Sequence, residues 1–263
     1  MTRGFQRATF HRSALVRILS DTHPQIPDPK YDFGERLGRW LDISDAMTLF
    51  SVLGAAAGGR ASAPLPESEL PEQLLRLRRS LSAAIQNDGV FTSPQEGSPP
   101  RIPFPTPTSA DAAGTAPDFT PFHRYYLAHE REMNVAITAL RGNARKELAV
   151  QSSAGRQLSN LDAAYEKALA AREYNLLANV PILLARAFAQ RYAEHSAAMS
   201  GEDDPDLWTQ PGSWLEAFCK DTKQALLAEL ELRLKPVAGM ISALTTASGA
   251  KNALNETKPH EQS

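Results

Sequence analysis

The sequence predicts an all-α protein: an elongated antiparallel helical bundle with two long central helices, a small N-terminal helical module and a disordered Pro-rich linker. Apolar residues recur at steps of three and four over most of the chain, the spacing that lines one helical face. Alternating runs of Val, Ile and Thr, the mark of half-buried strands, are almost absent. Hydrophobic residues make up 42% of 263 positions and glycine only 15 of them, so a substantial core can be buried.

At the N-terminus Arg3, Arg7, Arg12 and Arg17 interleave with Phe5, Phe10, Leu15 and Ile18. That pattern reads as an amphipathic first helix docking on the rest, and it also fits a transit peptide or a membrane-surface helix. Prolines 24, 27 and 29 then make a rigid connector, followed by a short apolar face of Tyr31, Phe33, Leu37, Trp40 and Leu41. Ser44 is the expected N-cap of the next helix, with Asp45 favourable to its dipole and Met47, Leu49, Phe50 and Leu53 as its apolar residues. Glycine and alanine from Gly54 to Ala63 end it. After Pro71 a further helix carries Leu74, Leu77, Leu81, Ala84 and Ile85 on one face and Arg76, Arg78 and Arg79 largely on the other. These elements form the expected N-terminal module, residues 1–86.

Residues 87–118 hold seven prolines among Ser, Thr, Gly and Ala, with few large apolar side chains. Such a stretch cannot bury enough surface to offset its chain entropy, and it is expected to be an extended or disordered linker.

The long-helix bundle is expected over 119–247. In its first helix Phe122, Tyr126, His129, Met133, Ile137, Leu140, Ala144 and Leu148 share one face, opposite Arg124, Arg131, Glu132, Asn134, Arg141, Arg145 and Lys146. After a joint at 152–155, Leu158, Leu161, Tyr165, Leu169, Leu176, Val180, Leu184 and Phe188 repeat the pattern, and the two helices should pack antiparallel. Pro181 removes a backbone donor and predicts a kink near Asn179. The acidic stretch Glu202, Asp203, Asp204 and Asp206 around Pro205 breaks the chain, with Trp208 as a loop anchor. The last helix starts near Ser213, first burying Trp214, Leu215 and Phe218. Its residues Leu227, Leu230, Leu234, Val237, Ile241 and Leu244 then form a short heptad seam, either packed within the subunit or offered to a partner as a coiled coil. Pro236 should bend or restart that helix, and residues 248–263 should fray as a disordered tail.

The 28 basic and 30 acidic residues nearly cancel, which gives no global pull toward nucleic acid or an anionic membrane. The lone Cys219 excludes an intramolecular disulfide and suits a reducing compartment, the cytoplasm. Its place beside Phe218 reads as a buried core thiol rather than a reactive one. No apolar run approaches the ~20 residues that span a bilayer: Tyr174 to Ala185 is broken by Asn175, Asn179 and Pro181.

No set of residues demands catalysis, a metal or a cofactor. His129 to Met133 begins like a zinc-protease helix, but Met133 stands where the second histidine ligand would be. His123 and His129 are off one another's face. Gly54 to Ala61 has glycines near phosphate-loop spacing, yet Arg60 and Ala61 replace the lysine and hydroxyl that grip phosphate and magnesium. The acids at 202–206 lack the ligand alternation of a calcium loop. Twenty arginines against eight lysines could favour phosphate, but they are spread among acids.

The stretches Arg12 to Leu19 (RSALVRIL), Phe33 to Trp40 (FGERLGRW) with Asp45 and Ala46, and Tyr126 to Met133 (YLAHEREM) resemble a bacterial family of uncharacterised proteins of similar length. The resemblance implies genes neighbouring stator-like proton channels of the MotA/TolQ/ExbB type and OmpA-like peptidoglycan-binding proteins, in sets grouped with Zorya-type anti-phage defence. It therefore implies a non-enzymatic cytoplasmic adaptor of a membrane motor complex, working through helix–helix contacts with a protein partner, a neighbouring gene product or a second copy of itself. The seam from Leu227 to Leu244 is the expected interface. The runner-up reading is a nucleic-acid-binding subunit of the same system.

Overall fold

The structure, a computed structural model, describes residues 14–22, 40–54, 68–92, 99–106, 117–199 and 203–256. Every regular element among them is helical: α1 Ala14–Thr22, α2 Ile43–Gly54, α3 Leu70–Gln86, α4 Thr120–Gln151, α5 Ser153–Leu177, α6 Asn179–Ala198, a 3-10 turn Pro205–Thr209, and α7 Trp214–Glu256. The expectations placed on Arg3 to Arg12, on Tyr31 to Leu37 and on Gly58 to Ala61 lie outside the described residues.

All eight residues of the α4 stripe are buried, as their spacing predicts. They face α7, which also packs against α1, α3, α5 and α6. The bundle is therefore built as much around α7 as around the α4–α5 pair. Leu15 of α1 and Leu70, Leu81 and Ile85 of α3 join the same apolar cluster as α4 and α7, with Phe104, Phe122, Phe188 and Phe218 among its members. Ring centroids of 4.9 Å between Phe122 and Phe188 and 5.1 Å between Phe188 and Phe218 lie in the favourable range for tilted and edge-on aromatic pairs.

The turn from α4 into α5 is made by Ser152, in an extended conformation, whose hydroxyl accepts the Gly155 N–H at 2.9 Å. A Cβ on Gly155 would stand 2.3 Å from the Leu148 carbonyl oxygen, so the close approach of the two helices requires glycine there. The helices run antiparallel, with Arg141 opposite Asp162 and Leu148 opposite Gly155.

The stripe of α5 is shallower than the spacing suggests: Leu158, Leu161 and Leu169 are half-buried, and Tyr165 and Leu176 are exposed. Periodicity reports which residues share a face, not how deeply that face sits, and α5 lies at the edge of the bundle. The break expected near Asn179 occurs at Ala178, and Pro181 falls in the first turn of α6, where its missing N–H matters least. Asn179 Nδ2 donates to the Asn175 and Leu176 carbonyls at 2.8 and 3.2 Å, closing the open end of α5.

Three local expectations are corrected. The cap of α2 is Asp42, not Ser44: Asp42 Oδ1 accepts the Asp45 N–H at 2.7 Å while Asp45 reaches back to the Asp42 N–H, a reciprocal box. Parts of the stretch expected to be a loose linker are packed. Asp88 has no exposed surface, its main-chain oxygen accepts the Phe104 N–H at 2.9 Å, and Phe104 is buried. Pro236 lies on the exposed side of α7, and the helix continues through it without restarting. The backbone of α7 stays helical to Glu256, past the expected start of the tail.

Candidate interaction groove

The seam residues expected to meet a partner are used inside the chain. Leu230, Leu234, Val237, Ile241 and Leu244 are buried and Leu227 packs partly against the same core. The stripe is real and its occupant is α4 with the neighbouring helices, so this face is not free for docking while the bundle is closed.

The other residues singled out by sequence have structural roles. His129 is buried beside Tyr125 with its Nε2 unpartnered, and burial alone pushes its pKa down to about 4, so it is a neutral core histidine. No group of three or more His, Cys, Asp or Glu among the described residues could hold a metal ion. His123 stacks on Phe119 at 6.2 Å. Cys219 is buried, and burial pushes its thiol up to about 12. Asp203 accepts the Trp208 indole N–H at 2.8 Å and meets His195 Nε2 at 3.0 Å, which makes Trp208 the loop anchor expected of it. Asp204 caps the 3-10 turn through the Asp206 N–H at 3.0 Å.

What the periodicity did not expose is a set of buried charges. Glu229 is fully buried in the middle of α7, where Tyr126 donates its hydroxyl to it and Arg233 Nε donates at 2.7 Å. Arg233 also reaches Asn134 at 2.6 Å and Glu130 at 2.9 Å on α4. Burial and the Glu229 charge push the Tyr126 phenol far up, so it stays a donor. Nearby, Arg141 holds Asp162 through Nε and Nη2 at 2.9 and 2.7 Å and Glu166 at 3.1 Å, and Arg145 joins the same two acids. Burial opposes the charge of Asp162, but the two guanidiniums outweigh it and hold its carboxyl below the usual range. The one local signal was Glu229 and Arg233 at i, i+4 inside a leucine-rich run.

Between α4, α5 and α7 these groups border a groove of about 210 Å³, walled by Glu130, Arg141, Glu166, Glu173, Tyr174 and Arg233. Three arginines (Arg141, Arg145 and Arg233) stand against five acids (Glu130, Asp162, Glu166, Glu173 and Glu229), so the neighbourhood is acidic on balance. Each of these guanidiniums is engaged with carboxylates; Glu173 is in no ion pair within 4 Å among the described residues, only in the longer-range field of Arg141, and Tyr174 is 71% exposed. An aromatic face beside an exposed carboxylate in an acidic groove suits a cationic side chain. The groove offers no nucleophile paired with a base.

A second cavity of about 440 Å³ lies at the start of α7, against Phe91, Thr92, Ser213, Glu216, Lys220 and Lys223. Its polar groups are largely engaged: Ser213 Oγ accepts the Glu216 N–H at 3.1 Å, Glu216 accepts the Gly212 N–H at 2.5 Å, and Lys223 bridges Asp88 and Thr92.

Among the described residues no helix is long and apolar enough to cross a membrane. A family model described as "Protein of unknown function (DUF3348)" matches residues 1–246. No curated protein and no solved structure matches the chain.

Proposed function

The chain belongs to this family of proteins of unknown function, and from that membership and the groove we propose that it is a non-enzymatic cytoplasmic adaptor that docks a helical segment of a protein partner. The partner is the cytoplasmic part of a stator-like proton channel or a neighbouring gene product, in a system of the anti-phage kind that the sequence resemblance implies. One observation carries the reading: the groove between α4, α5 and α7 is acidic on balance and presents an exposed carboxylate outside any close ion pair, Glu173, next to the exposed Tyr174.

Cytoplasmic segments of membrane proteins carry an excess of Lys and Arg, so a helix from such a channel would bring a further cation to this acidic groove. The alternative, nucleic-acid binding, has less support. Arg76, Arg78, Arg101, Arg141, Arg145, Arg191 and Arg233 are all engaged with acids, and phosphate would have to displace them. The test is co-expression with the channel subunits and neighbouring products, followed by affinity capture. Retention of one of them, weakened by Glu173→Lys, supports the proposal; capture of none overturns it.

A further inference from the structure

The surplus negative charge of the groove sits at one end of it. Toward the α4–α5 turn, Arg141 and Arg145 meet Asp162 and Glu166, and each of the four carboxylate oxygens lies within 3.1 Å of a guanidinium nitrogen. That end is balanced. At the other end Arg233 alone stands against Glu130, Glu229 and Glu173. Arg141 lies opposite Asp162 and Leu148 opposite Gly155, and the same antiparallel register brings Glu130 of α4 level with Glu173 of α5. Both border the groove, and packed helix axes lie ~8–10 Å apart, so two glutamates facing across that gap can share one cation. Arg233 holds Oε1 of Glu130 at 2.9 Å and is otherwise engaged with Glu229 and Asn134. Glu173 is exposed and feels Arg141 at longer range.

We propose that the gap between Glu130 and Glu173 is a lysine seat: the ammonium of a lysine on the docked helix bridges the two carboxylates. This rests on the reading of the groove as a docking site and adds which cation it takes. A guanidinium is a rigid planar fork matched to both oxygens of one carboxylate, and one oxygen of Glu130 is already held by Arg233. A fork on Glu173 would leave Glu130 unanswered. An ammonium is a compact charge with three rotatable donors, so it takes one oxygen from each of two carboxylates. Ile137 and Leu177, 6% and 7% exposed, put apolar surface beside the pair, where the methylene stem of a lysine packs while its head stays among the acids. The exposed Tyr174 flanks the same end.

Side-chain analogues test this on the full chain without any partner, by amide-resolved NMR titration with n-butylammonium and n-propylguanidinium. The expected result is saturable shifts centred on Glu130, Glu173 and Tyr174, with n-butylammonium bound at least about threefold more tightly than n-propylguanidinium. Glu173→Gln and Glu130→Gln should each weaken n-butylammonium about fivefold. Glu173 is exposed, so its variant keeps the fold whatever Glu130→Gln does to Arg233. No saturable shift with either cation, equal or tighter binding of the guanidinium, or indifference to Glu173→Gln overturns the proposal. A captured partner together with a guanidinium preference leaves the adaptor reading standing and removes the lysine seat; ammonium binding with no partner captured sinks the adaptor reading and leaves the seat.

Discussion

Lys223 of α7 closes an ion pair on Asp88, 135 residues earlier in the chain and without exposed surface. The other oxygen of Asp88 accepts the N–H groups of Val90, Phe91 and Thr92 at 2.7, 2.6 and 3.1 Å, so one carboxylate folds the turn after α3 and ties it to α7. Burial opposes its charge, and Lys223, Thr92 and the backbone donors overcome it, holding the carboxyl far below the usual range.

Asp88→Ala should accordingly lower stability by about 3–5 kcal/mol, since Lys223 loses its counter-ion and three amides lose their acceptor. The folded-state pKa lies below the unfolded value, so the contribution of Asp88 is complete above about pH 4 and is lost as pH falls below it. Urea midpoints of the wild type and variant, measured from neutral pH downward, should converge in acid.

His129 acts in a different window. Its pKa of about 4 in the fold lies below the ~6.5 of an unfolded chain, so between these values only the unfolded state binds the proton. Stability is full above about pH 6.5 and declines as pH falls toward 4, by on the order of 3 kcal/mol at about 1.4 kcal/mol per unit. His129→Leu should flatten that slope in denaturant titrations.

Glu229 and Arg233 separate a broken pair from a replaced one. Arg233→Ala strands a fully buried carboxylate and should cost about 3–5 kcal/mol, while Glu229→Leu with Arg233→Met and Tyr126→Phe, which removes the donor together with its acceptor, should cost far less. Thermal melts of the three proteins check this.

Two glycines should respond with opposite signs. Gly142, mid-α4, has open space around a new Cβ, so Gly142→Ala should stabilise by about 0.5–1 kcal/mol. Gly155→Ala meets the Leu148 carbonyl and should destabilise by about 2 kcal/mol or more. Chemical denaturation of both variants gives the comparison.

The all-α fold was legible because helical burial is periodic: every residue of the α4 stripe from Phe122 to Leu148 is buried as its spacing requires. The same logic found the Leu227 to Leu244 seam and could not say what covers it, since a stripe looks alike whether α4 or a partner lies against it. Asp88 and Phe104 were invisible because their burial depends on Lys223 and Phe218, far along the chain, and nothing in a proline-rich stretch announces such contacts. The groove was missed for a related reason: Glu130, Glu173 and Arg233 are ordinary surface residues on three helices until packing brings them together.

The most direct measurement is affinity capture of the tagged chain, wild type and Glu173→Lys, after co-expression with the stator-like channel subunits and the neighbouring gene products. Wild type should retain one of these proteins and Glu173→Lys should lose it; retention of none, or equal retention by both, would contradict a docking role for the groove.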